Sequence, residues 1–99
     1  MLLQEKNVAT QTANLQGLFS QEIKQVEALK TQLYYYKNTA LPNATLISRQ
    51  ASKAYLSGEI AYVEYLQSFQ TARDIQRNYV ETLYRYNQSI INLQFLLNQ

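Results

Sequence analysis

Cysteine and histidine are both absent from this 99-residue chain, and the only methionine is the first residue. Without thiolate or imidazole it lacks the usual ligands for soft and borderline metals and the commonest catalytic nucleophile and base. A transition-metal site and thiol or imidazole chemistry are therefore not expected, and the missing cysteines leave the redox compartment unmarked. A di-metal carboxylate bundle is likewise not expected, because its Glu-x-x-His motif needs a histidine. Using Glu59 and Glu64 as a glycosidase-like pair would require an enclosing pocket. No glycine-rich phosphate loop or nucleophile motif occurs, so no enzyme is expected. No run of about twenty apolar residues exists to cross a bilayer as a helix. Met1-Leu2-Leu3 gives way at once to Gln4, Glu5 and Lys6, unlike a secretory leader.

Charge excludes in the same way. The formal net charge is +2, and Lys24, Lys30, Lys37, Arg49, Lys53, Arg73, Arg77 and Arg85 are spread among acids. That dispersal reads as solvated helix faces rather than a phosphate-binding stripe, so nucleic acid is not an expected partner. Asn43 and Asn87 head glycosylation-like triplets, which an Asn-, Ser- and Thr-rich chain produces by chance.

Glycine and proline are nearly absent too, with two glycines and one proline, and this turns exclusion into architecture. From the Tyr55-Leu56-Ser57-Gly58-Glu59-Ile60 stretch to the end, a three–four repeat runs through Tyr62, Tyr65, Phe69, Ala72, Gln76, Tyr79, Leu83, Tyr86, Ile90, Leu93 and Leu97. Only Gln76 breaks it. A sustained period near 3.5 is the signature of a left-handed coiled coil, and strands are not expected. At 1.5 Å per residue this arm would be on the order of 60 Å long. A matching seam on the first arm passes through Leu15, Phe19, Glu22, Val26, Leu29, Leu33, Tyr36 and Ala40. It resumes after the proline at Ala44, Ile47, Ala51 and Ala54.

Gly58 lies between these segments, where a left-handed residue ends a helix at little steric cost. Arg49 and Lys53 precede it as cations near a helix C-terminus, and Glu59 is placed to open the second helix with favourable charge. The expected fold is all-α: a long antiparallel coiled-coil helical hairpin spanning 1–99 as one unit, with a first arm at about 3–56, a tip at 57–59 and a second arm at about 59–98. Pro42 removes a backbone donor and clashes with the preceding turn, predicting a kink or break near Leu41, with Asn38 and Thr39 allowing looser geometry. The other reading of Pro42 is a true helix end, which would divide the chain into three helices.

More apolar surface is present than one seam hides. Val63, Leu66, Ile75, Val80, Tyr84, Ile91 and Phe95 form a second row on the second arm, and Leu18, Ile23 and Tyr35 flank the first. Nine tyrosines suit interfaces at which a ring packs and its hydroxyl stays hydrated. So thin a core predicts further helices as neighbours, from copies of the chain or from a longer parent. The polar, Gln-rich start and the close at Leu97-Asn98-Gln99 without a capping signal read as those of a fragment.

Tyr36, Leu41-Pro42, Ala44, Ala51, Tyr55, Gly58, Leu66-Gln67, Ala72, Tyr79, Tyr86 and Leu93 together resemble the final helical hairpin of TolC-like outer-membrane efflux proteins. The resemblance runs from about Gln32 to Leu97; the preceding residues fit only as generic coiled coil. It implies a trimeric conduit in which such hairpins wall a periplasmic tunnel, without cofactors, in a Gram-negative envelope. The tip, here Tyr55, Leu56, Ser57, Gly58, Glu59 and Ile60, would dock a periplasmic adaptor protein linked to an inner-membrane pump. Tyr55 and Glu64 match positions of the tunnel constriction. Gln67 and Ile60 depart from the acidic and basic residues that accompany them in family members. Gly58 to Gln67 is most similar to the heavy-metal cation efflux branch. The alternative is a self-associating coiled-coil interaction module with no transport role.

Overall fold

A computed structural model describes residues 2–98, with side-chain surroundings from residue 14 onward. Met1 and Gln99, on which the expectations of a leaderless start and an uncapped end partly rest, lie outside the described residues. The described residues are helical apart from the reversal at 57–61 and the closing turn at Asn98. Helix α1 spans Leu2–Tyr35, a π-helical turn follows at Tyr36–Ala40, α2 spans Leu41–Leu56 and α3 spans Tyr62–Leu97. Among the described residues there is no strand, and no helix is long and apolar enough to cross a membrane.

The first arm, made of α1, the π turn and α2, packs along α3 in a hairpin-like fold. Three cross-arm contacts fix the pairing. The Tyr55 and Tyr65 rings stack at 5.0 Å, Tyr36 meets Tyr79 edge-on at 6.2 Å, and Asn92 Nδ2 donates to Glu22 Oε1 at 3.4 Å. The radius of gyration is 22.4 Å with extents of 81 × 22 × 15 Å, whereas a compact domain of this length has a radius near 13 Å. Its accessible surface, 7965 Å², likewise exceeds the roughly 5800 Å² of a compact monomer of this mass.

Pro42 neither ends the helix nor separates two of them. Tyr35, Ala40 and Leu41 all keep right-handed helical dihedrals, and the Leu41 N–H reaches the Tyr36 carbonyl, the five-residue closure of a π turn. The irregularity expected near Leu41 is thus a widened turn just upstream of it. Asn38 contributes as its composition suggested, donating from Nδ2 to the Tyr34 carbonyl at 2.9 Å.

Among the described residues the buried ones are mostly small: Leu29, Ala40, Ala44, Ala51, Ala72, Thr82 and Ser89, with Ala44 lowest at 1% exposure, and no large side chain among them is fully buried. On the first arm the expected seam is the inner one, since Phe19, Glu22, Val26, Leu29, Leu33, Tyr36, Ala40, Ala44, Ile47, Ala51 and Ala54 are all buried or half-buried; only Leu15 is exposed. On α3 half of the expected seam is displaced. Tyr65, Ala72, Tyr79, Tyr86 and Leu93 do face inward, but the positions alternating with them are Ser68, Ile75, Thr82, Ser89 and Leu96. Phe69, Gln76, Leu83 and Leu97 are exposed instead, while Ile90 is half-buried. Ile75, assigned to the flanking row, belongs to the seam. The second inner file thus mixes small and large side chains, and Phe69, Gln76, Leu83 and Leu97 lie beside it.

Candidate functional site

The backbone bonds that close α2 at the tip centre on Gly58. Ser57 keeps a right-handed conformation (φ −83°, ψ −5°), and Gly58 turns left-handed at φ +82°. Gly58 N–H then bonds the Tyr55 carbonyl at 3.1 Å and Glu59 N–H bonds the Ala54 carbonyl at 2.8 Å. These are the two bonds of a Schellman motif, which satisfies the orphan carbonyls of a helix end. Ala54's carbonyl also accepts from Ile60 N–H at 3.3 Å and from Ser57 Oγ at 3.1 Å. Lys53 supplies the cation in the last turn of α2.

Glu59 does not open the second helix. Ala61, extended at φ −79° and ψ 163°, precedes α3, whose first-turn acid is Glu64. The Schellman closure uses Glu59 and Ile60 to tie off α2, so α3 begins only at Tyr62. The tip consequently runs from Ser57 to Ala61, longer than the expected 57–59.

Most of the candidate tip residues are presented to solvent. Leu56 is 84% exposed; Tyr55, Ser57, Gly58 and Glu59 are exposed and Ile60 is half-buried. A Cβ built on Gly58 meets nothing within 4 Å, so the apex is sterically open. An open groove lined by Gln50, Lys53, Ala54, Ser57 and Glu59 lies beside it.

Below the apex sits an aromatic ladder whose contacts the heptad reading missed. Tyr55 packs on Tyr62 at 5.8 Å as well as on Tyr65, Tyr65 stacks on Phe69 at 6.3 Å, and the Arg73 guanidinium lies 5.9 Å from the Phe69 ring centre. Offset-stacked and tilted rings at such distances attract one another beyond simple area burial. The signal was the Tyr62, Tyr65, Phe69, Arg73 spacing of three and four, which puts four flat groups on one helix face. Tyr55 and Glu64, paired on the family resemblance, are not joined by a hydrogen bond among the described residues; Glu64 is exposed and Tyr55 spends its ring on the ladder.

Of the outer row, Val63, Leu66, Val80, Tyr84, Ile91 and Phe95 are solvent-exposed, from 37% at Leu66 to 69% at Tyr84, while Ile75 is half-buried in the seam. No protein-family model, characterised protein or solved structure matches the chain at a level that marks relatedness.

Proposed function

We propose that the chain is a wall segment of a TolC-like periplasmic efflux tunnel, an antiparallel coiled-coil hairpin whose tip docks the periplasmic adaptor of a tripartite efflux system. The observation that carries this reading is the tip: an open, glycine-centred reversal whose N–H groups from Ser57 to Ile60 are all bonded back to α2 and whose Leu56 side chain is 84% exposed. Such an end presents a fixed shape, so a partner can dock without ordering the loop first. The exposed outer row on α3 is the second support, since wall helices need lateral neighbours. In this reading those neighbours are the other helices of the assembly, and the constriction falls near Tyr55 and Glu64. The cargo is a heavy-metal cation or another small solute that passes a Gln- and Asn-rich wall, with specificity residing in the pump.

The outer row also suits a self-associating coiled-coil module without transport, and one experiment separates the two. In a chain otherwise free of cysteine, Ser57→Cys is crosslinked in cells to periplasmic adaptor proteins, with Arg85→Cys as the mid-helix control. Crosslinks from position 57 and not from 85 are expected. Their absence at 57 in a folded, expressed protein, with self-crosslinks through the α3 outer row, would replace the conduit by the module.

A further inference from the structure

The outer surface of α3 is apolar on one flank only. Both inner files of α3 keep a seven-residue step, so the rows beside them follow in the order that about 100° per residue sets. Next to the Tyr65 file comes the row of Phe69 and Leu83, then that of Leu66 and Val80, then that of Tyr84 and Ile91, all exposed. The other flank, beside the Ser68 file, carries all three acids of α3, Glu64, Asp74 and Glu81. Phe95 is the large apolar residue among them. On the apolar flank the only charges are Arg73 and Arg77, and Asp74 reaches Arg77 from the polar side at 2.7 Å.

The exposed area is of the size that a second copy covers. The hairpin exposes 7965 Å² against roughly 5800 Å² for a compact chain of its mass. The surplus, roughly 2200 Å² on the same scaling, lies within the range of about 1000–2500 Å² that each copy buries in an obligate dimer. A head-to-tail neighbour would set the apolar flank against the acids of the next copy, whereas a two-fold partner sets the flank against itself.

Charge decides the direction. With two α3 helices running the same way, each residue would meet its own copy, Arg73 on Arg73 and Arg77 on Arg77. No acid lies on that face to separate them, and like charges across an interface repel. Laid end for end about Val80, Tyr62 comes opposite Leu97, Phe69 opposite Ile90 and Leu66 opposite Gln94. Arg73 then faces Asn87, and Arg77 faces the Tyr84 ring, a favourable partner for a guanidinium.

We propose that the hairpin pairs with a second copy through this flank, α3 against α3 in opposite directions, with Val80 at the two-fold axis and Glu64, Asp74 and Glu81 turned to water. The pairing rests on the self-associating reading of the outer row and commits it to one occupant and one arrangement.

Sedimentation of the full chain is expected to give a dimer. Val80→Glu, at a position 61% exposed in the single hairpin, should keep the helical circular-dichroism spectrum. It should weaken dimerisation by more than about tenfold, because two unpaired carboxylates would meet at the axis. The chain has no cysteine of its own, so introduced thiols report the arrangement. Val80→Cys should form a disulfide between copies, and Gln88→Cys, on the polar flank, should not. Leu66→Cys mixed with Gln94→Cys should join the two variants to each other, while Leu66→Cys alone stays unlinked. Leu66→Cys joining to itself, or a dimer that Val80→Glu leaves intact, would overturn the arrangement and leave self-association standing. A folded monomer at every concentration would overturn both. Adaptor crosslinking from position 57 is read separately from all of these outcomes.

Discussion

The two arms carry equally regular apolar repeats, yet only one repeat coincides with the buried seam. On the first arm the residues spaced by three and four are the inner ones from Phe19 to Ala54. On α3 the apolar file through Phe69, Leu83 and Leu97 lies outside, and Ser68, Thr82 and Ser89 take its place within. The inward file that α3 uses in its place is mixed in size, Ser68, Ile75, Thr82, Ser89 and Leu96, while Ala40, Ala44 and Ala51 are the small buried residues of the first arm. Thr82 satisfies its hydroxyl without a partner from the other arm, donating to the Asn78 carbonyl at 2.8 Å. The backbone carbonyl one turn back on its own helix is enough to let a hydroxyl be buried. Phe69, Leu83 and Leu97 lie on the flank and are exposed.

This contrast can be broken most severely at its tightest point. Ala44→Leu places three extra carbons where 1% of the residue is exposed, and overpacking of this kind costs about 1–3 kcal/mol. Urea unfolding followed by circular dichroism should show that loss; an unchanged midpoint would mean the arms do not approach closely at Ala44. Gly58→Val comes next. A Cβ would find open space there, so the penalty is that of left-handed backbone alone, about 1–2 kcal/mol, with the reversal shifted or frayed. Stability and crosslinking behaviour equal to the parent would show that the left-handed residue is dispensable. The smallest effect is expected at Gln76, the one polar member of the α3 apolar file. It is exposed, so Gln76→Leu should change stability by less than about 0.5 kcal/mol. A clear stabilisation would return residue 76 to the interface and restore the simpler seam.

Much of the tip was legible before folding was considered. Tyr55-x-x-Gly58 between two heptad segments announced a left-handed helix end, and Gly58 at φ +82° with its Schellman bonds is that end. Where α3 starts was not legible, because the charge preference that favours Glu59 near a helix N-terminus is weaker than the two backbone bonds that hold Glu59 and Ile60 to Ala54. The aromatic ladder was present in the spacing of Tyr62, Tyr65 and Phe69 but was absorbed into the seam, since ring stacking and core packing use the same three–four period. An irregularity before Pro42 was legible from the proline and from Asn38; its form as a π turn at Tyr36–Ala40 was not, because the row Phe19, Val26, Leu33, Ala40, Ile47 and Ala54 keeps its seven-residue step across it.

From the sequence alone follow the helical class, two long arms, the reversal at Gly58, the inner face of the first arm and the irregularity before Pro42. All of these depend on local backbone preference and on a period that a single helix carries within itself. Tertiary structure alone decided which of two adjacent stripes on α3 is buried. Those stripes share Tyr65, Ala72, Tyr79, Tyr86 and Leu93 and differ by one residue at each alternate position, a rotation of only part of a turn. Hydrophobicity favours the stripe with Phe69 and Leu83, whereas the buried one carries Ser68 and Thr82 beside Ile75 and Leu96; the rotation of α3 against the first arm is set by cross-arm contacts such as Tyr55 on Tyr65 and Tyr36 on Tyr79, which no single helix carries within itself.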